Sequence, residues 1–237
     1  VLSVAPQMYK TSVFLAQGPG GSGGPGGPGG AIPPGLPVAT LAQLLESLSS
    51  SLKSSTGNGG DIVKKLGYIP SENSVLEGDI AKIYDTITEA ETSLAANDTV
   101  LATNAINYLQ QLASSTVASY AKTSEGTALE KKMQEDLNTT QKIVSAADGW
   151  VGSYAGDKSA VQKDLTAAKT SLAATNTSFS ADRYPEAAVN FANTLGSLVN
   201  LLPVVAPDTA TDELNFVYQK ASALGLESSG LKTRVDS

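Results

Sequence analysis

TITEAETSLAANDT (residues 86–99) aligns without a gap with DLTAAKTSLAATNT (164–177), sharing Thr88, Ala90, Thr92, Ser93, Leu94, Ala95, Ala96 and Thr99 with their counterparts. A five-residue insertion later, NAINYLQQLAS (104–114) resembles AAVNFANTLGS (187–197), pairing Asn107-Tyr108 with Asn190-Phe191 and Leu112 with Leu195. Further on, EDLN (135–138) resembles DELN (212–215). Three matches in the same order point to two copies of one unit. Their apolar spacing says the unit is helical.

In the first copy Leu76, Ile80, Ile83, Ile87, Ala90 and Leu94 recur at alternating steps of four and three, the seam of a helix packed in a bundle. Ser74 and Glu77 make a capping box ahead of it. A turn at Asn97-Asp98 leads to a second helix with Ala102, Ile106, Leu109, Leu112, Thr116 and Tyr120 inward. A third opens at Thr127, boxed with Glu130, and buries Leu129, Met133, Leu137, Val144 and Ala147. A connection holding Gly149, Gly152 and the lone Trp150, read as a plug between the copies, leads to the second unit. There Ser159 and Gln162 box a helix with Val161, Leu165, Ala168 and Leu172 inward. The next has Pro185 in its first turn and buries Ala188, Phe191, Leu195, Leu198 and Leu202. The last starts near Asp208 or Thr209, buries Leu214, Val217, Ala221 and Leu224, and stops at Gly225.

The expected fold is therefore an all-α bundle of two similar three-helix units, 71–150 and 151–237. Residues 37–70 precede them, with an amphipathic helix boxed by Thr40 and Gln43 and carrying Leu41, Leu44, Leu48 and Leu52 on one face. The turn STGNGG (55–60) ends it, and a short helical turn, Asp61–Leu66, closes at Gly67.

Residues 1–36 are read as an extended N-terminal arm. VLSVAPQMYKTSVFLAQ (1–17) is rich in β-branched and aromatic residues without a helical stripe. GPGGSGGPGGPGG (18–30) has no side chain to bury and cannot offset its own ordering entropy. In composition this tract resembles those of silks and other extracellular structural proteins. It also matches G-x-G-x-x-G at 18–23, but more Gly and Pro follow where a nucleotide-binding fold needs a helix.

Of the 237 residues only 16% are charged, against about 25% in ordinary domains, and Ser, Thr and Ala fill the difference. The net charge is −7, and with Arg183 and Arg234 the only arginines there is no basic patch for phosphates. Nucleic acid and membrane insertion are not expected, because the longest apolar run, Leu198–Ala206, is interrupted by Asn200 and Pro203. The start at Val1 is read as the end left by removal of a targeting peptide.

Histidine and cysteine are both absent. That removes the commonest general base, the Ser-His-Asp triad, thiolate and imidazole metal sites, disulfides and iron–sulfur clusters. The acidic pairs Glu89/Glu91, Glu135/Asp136 and Asp212/Glu213 are read as helix-solvating and capping residues. Sequons occur at Asn97, Asn138 and Asn176, the first and last placed at equivalent turns. Tyr108, Tyr120, Phe191, Phe216 and Tyr218 are assigned to packed helix faces.

No catalytic residue, cofactor or metal is expected, and the chain is read as not an enzyme. The expected role is a structural subunit of an extracellular or cell-surface assembly, a filament, sheath or matrix. Val4, Met8, Val13, Phe14 and Leu15 of the arm would pack on another copy of the chain or on a larger complex. One alternative is an accessory subunit docked on a membrane complex in the thylakoid lumen or periplasm, since lumenal extrinsic photosystem subunits are similar in joining a helical bundle to a Pro/Gly-rich extension. Another is a small-molecule or lipid carrier.

Overall fold

A helix rich in Ser and Thr packs well only if its hydroxyls find acceptors, and here they find them within the helix. Thr140, Thr175 and Thr194 are fully buried, and each donates to the carbonyl four residues back at 2.8, 2.8 and 3.0 Å. Small, internally satisfied side chains thus stand where larger apolar ones would otherwise fill the core.

The computed structural model describes residues 31–53, 58–69, 75–120, 122–226 and 228–237, without the side chains of 51 and 113–119. Among them the chain is all-α and contains no strand. The helices are α1 (Val38–Leu52), α2 (Asn58–Lys65), α3 (Val75–Ala95), α4 (Thr99–Tyr120), α5 (Ser124–Ser153), α6 (Lys158–Ser180), α7 (Tyr184–Val205), α8 (Thr211–Leu224) and α9 (Ser229–Val235). The arm to residue 30, the STG of the turn at 55–57 and the cap at Ser74 lie outside the described residues.

Contacts divide the chain into two compact units, Val1–Ser54 with Asp79–Thr116 and Ser55–Gly78 with Val117–Ser237. In the first unit α1 buries Leu41, Leu45, Ser49 and Leu52, α3 buries Ile83, Ile87 and Ala90, and α4 buries Ala102, Ile106, Leu109 and Leu112. The segment before α1 is tied down as well. Ile32 is buried and its N–H donates to Asn107 Oδ1 on α4 at 2.8 Å.

The second unit is built around α7, against which α2, α5, α6, α8 and α9 all pack. Phe191, Leu195, Leu198, Leu201 and Leu202 are fully enclosed. Among the described residues α7 is long and apolar enough to cross a membrane by length and composition alone, 22 residues with a mean hydropathy of 1.4 over its most apolar 18. The helices around it account for its apolarity. It also continues through Pro203, which lacks the N–H that Val199 O would accept. The Ser228 hydroxyl donates to Val199 O instead, at 3.5 Å, and accepts the Leu231 N–H as the N-cap of α9.

Helix α9 was not foreseen, and its Arg234 closes the end of α7. The guanidinium donates to Pro203 O at 3.2 Å and Ala206 O at 2.9 Å, and meets Asp208 at 3.2 Å. A cation on the last carbonyls of a helix opposes the negative end of its dipole. Arg234→Ala is expected to lower the unfolding free energy by about 1 kcal/mol, measured by urea titration. An unchanged midpoint would show that α9 merely rests on α7.

Several local expectations are corrected. Helix α1 starts at Val38 after Pro37, so Thr40 and Gln43 form no cap, and Leu45 joins Leu41 and Leu52 on the inward face while Leu44 is 40% exposed. Helix α2 begins at Asn58, so Gly59 and Gly60 are helical rather than part of a turn. A Cβ on Gly59 would fall inside the backbone of Pro185, and that close approach is why glycine stands there. Helix α5 starts three residues before Thr127, capped by Thr123, and runs on to Ser153, so Trp150 lies half-buried within a helix and not in a connection. Asp157, not Ser159, caps α6. Asn176 lies inside α6 and not in a turn. Gly67 and Gly225 do end their helices with φ of +69° and +70°.

Candidate functional site

One buried polar cluster of the second unit joins Tyr68, Asp136 and Lys220. Each arrives there for a local reason. Gly67 terminates α2 in a left-handed turn, with Gly67 N–H on Lys64 O and Tyr68 N–H on Val63 O. That turn sends Tyr68 inward to 1% exposure, and Lys132 Nζ holds Gly67 O at 3.0 Å. Asp136 sits in the middle of α5, three residues after buried Met133 and four before buried Thr140, so the helix carries it into the core. Lys220 lies on α8 between Val217 and Ala221, both buried.

One carboxylate oxygen serves both partners. The Tyr68 hydroxyl donates to Asp136 Oδ2 at 2.6 Å, and Lys220 Nζ lies 2.5 Å from the same atom. The ammonium also sits 5.8 Å from the Tyr68 ring centroid and 5.7 Å from that of Phe216, within cation–π range. Burial, then the negative charge of Asp136, then its hydrogen bond push the Tyr68 phenol far above its ordinary value. The phenol therefore stays protonated and donating. An acid and a base that neutralise each other beneath a capped tyrosine make a lock between the α2 turn, α5 and α8, and their groups are committed to one another.

A second cluster fixes the turn between α6 and α7. Ser178 donates to Glu186 at 2.9 Å, Arg183 lies 3.3 Å from Glu186, and Tyr184 packs edge-on against Tyr120 with centroids 6.2 Å apart. Burial, followed by the charges of Asp182 and Glu130, raises the Tyr184 phenol as well. Among the described residues no three acidic side chains converge as a metal site would require.

No family model, curated protein or solved structure matches the chain. Function must therefore be argued from the residues themselves.

Of the residues singled out from sequence, Val4, Met8, Val13, Phe14 and Leu15 lie outside the described residues. Asp136, read there as a solvating acid, is instead buried and paired, because it occupies the inner arc of α5. That signal was legible, since an acid between Met133 and Thr140 on a helix needs a partner. Its partners were not, because Tyr68 and Lys220 lie 68 and 84 positions away. Tyr120 and Phe191 are fully buried as expected, whereas Tyr108 is 51% exposed.

Proposed function

We propose that the chain is a non-catalytic structural subunit of an extracellular or cell-surface assembly, a filament, sheath or matrix, whose N-terminal arm packs on a neighbouring copy. The observation that carries this is the anchored root of the arm. Ile32 is held on α4 through its own backbone N–H, so the thirty-one residues before it depart from a fixed point of the first unit. Those residues comprise an apolar, β-branched stretch followed by a Gly/Pro spacer, which at polyproline rise reaches about 40 Å. A low share of charge, Ser/Thr-rich helices and the Gly/Pro composition favour an exported setting.

The body is read as a duplication of one three-helix unit, α3–α5 and α6–α8. The helices that open the two copies close with the same kind of turn, although α6 runs seven residues past the position aligned with the end of α3. Asn97 and Asp182 both end a helix at positive φ, 55° and 58°. Both turns bond the following N–H back to a buried serine carbonyl, Asp98 to Ser93 and Arg183 to Ser178, each at 2.9 Å.

Light scattering and negative-stain microscopy on the full chain and on Val13→Asp/Phe14→Asp test the assembly. Regular polymers are expected from the first and monomers from the second. A monomeric full chain, or polymers unaffected by the charges, would overturn the proposal.

A further inference from the structure

On α4, Val100, Leu101 and Tyr108 are 67%, 53% and 51% exposed, among the most exposed large apolar side chains of the described residues. At about 100° per residue they fall, with Asn104 and Gln111, within an arc of about 100° on one side of the helix. Asn107, which holds Ile32, stands at the edge of that same arc. The arm thus leaves the first unit beside an apolar helix face that no described residue covers.

We propose that this α4 face is the receptor for the arm, residues 1–17, of a second copy of the chain. The proposal rests on the reading of the arm as the assembly element and names the surface it meets. The chain outside the described residues supplies what the face lacks: Val4, Met8, Val13, Phe14 and Leu15 are apolar, and Lys10 is the single charge of the stretch. Thirteen Gly- and Pro-rich residues lie between that stretch and the root. Held near polyproline geometry they extend about 40 Å, far beyond the roughly 10 Å that separates Asn107 from Leu101 along α4. The spacer therefore suits delivery of the arm to the next copy better than its return to its own root. Because donor and receptor are different surfaces of one chain, the contact is heterologous, and repetition yields an open polymer unless the rotation between copies closes a ring.

A photo-crosslinking benzoylphenylalanine at position 14 of the full chain, in an equal mixture of isotopically light and heavy copies, tests it. Crosslinks between light and heavy chains should map to the peptide 99–111 and fall at least tenfold in Leu101→Glu/Tyr108→Glu. Both side chains are exposed, so that variant should keep the wild-type helical circular dichroism and unfolding midpoint. Crosslinks to 99–111 confined to single chains would overturn the proposal by making the occupant the chain's own arm. Crosslinks between copies at other peptides would overturn the receptor while leaving the assembly reading intact. Monomers on light scattering with no crosslink between copies would remove both.

Discussion

Asp136→Ala is expected to lower the unfolding free energy by about 3 kcal/mol, read from urea titration followed by circular dichroism. The substitution leaves the Lys220 ammonium and the Tyr68 hydroxyl without their common acceptor. Removing one member of a buried ion pair costs about 3–5 kcal/mol, and the lower end applies because the Lys220 side chain keeps 24% of its exposure and can turn toward water. The double variant Asp136→Leu/Lys220→Met removes both charges together and should be milder than the single change. Equal losses in single and double variants would show that the pair is not coupled. The lock has a pH signature too. Native Tyr68 keeps its proton where the unfolded chain gives it up, near pH 10. Its contribution is therefore present below that pH and is lost as pH rises above it. Tyr68→Phe should remove part of the alkaline loss, with Tyr184, raised by burial in the same way, supplying a further part.

Gly59→Ala is expected to cost about 3 kcal/mol or more, although alanine favours a helix by about 1 kcal/mol over glycine. The clash wins because the obstacle is backbone. The new methyl would meet the carbonyl of Pro185 in the first turn of α7, which cannot move without shifting the helix at the centre of its unit. Gly78→Ala is the control. It lies in α3 with nothing within 4 Å of the added methyl, so propensity alone should act and the variant should be more stable by up to about 1 kcal/mol. If both variants respond alike, the close approach of α2 and α7 is not what glycine provides at position 59.

Most helix centres were legible because a 3.6-residue period is a local property. Ile83, Ile87 and Ala90 on α3, and Leu165, Ala168 and Leu172 on α6, stand inward as their spacing requires. Starts were harder. Thr40/Gln43 and Thr127/Glu130 both satisfy the capping-box pattern and neither begins a helix. A cap pattern states only that a residue can accept a backbone N–H, while competing starts a few residues upstream differ by little more than about 1 kcal/mol. Helix α9 escaped because seven residues carry too little periodicity to register, and Arg234 and Ser228 make their contacts some 28–31 positions away.

By itself the sequence determined an all-helical body, the glycine stops at 67 and 225, the absence of imidazole and thiol chemistry, and an apolar stretch followed by a Gly/Pro tract. Each of these depends on a residue and its near neighbours, or on composition. Only the tertiary structure decided that α7 is the enclosed helix of its unit, that Asp136 joins Tyr68 to Lys220, that Gly59 touches the Pro185 backbone, and that Ile32, at the root of the segment before α1, is held by Asn107. Those pairings span 68 to 126 positions for the chemistry and the glycine contact, and 75 for the root. Local period and capping chemistry orient a face toward a core. Which element fills that core is settled by packing the whole chain at once.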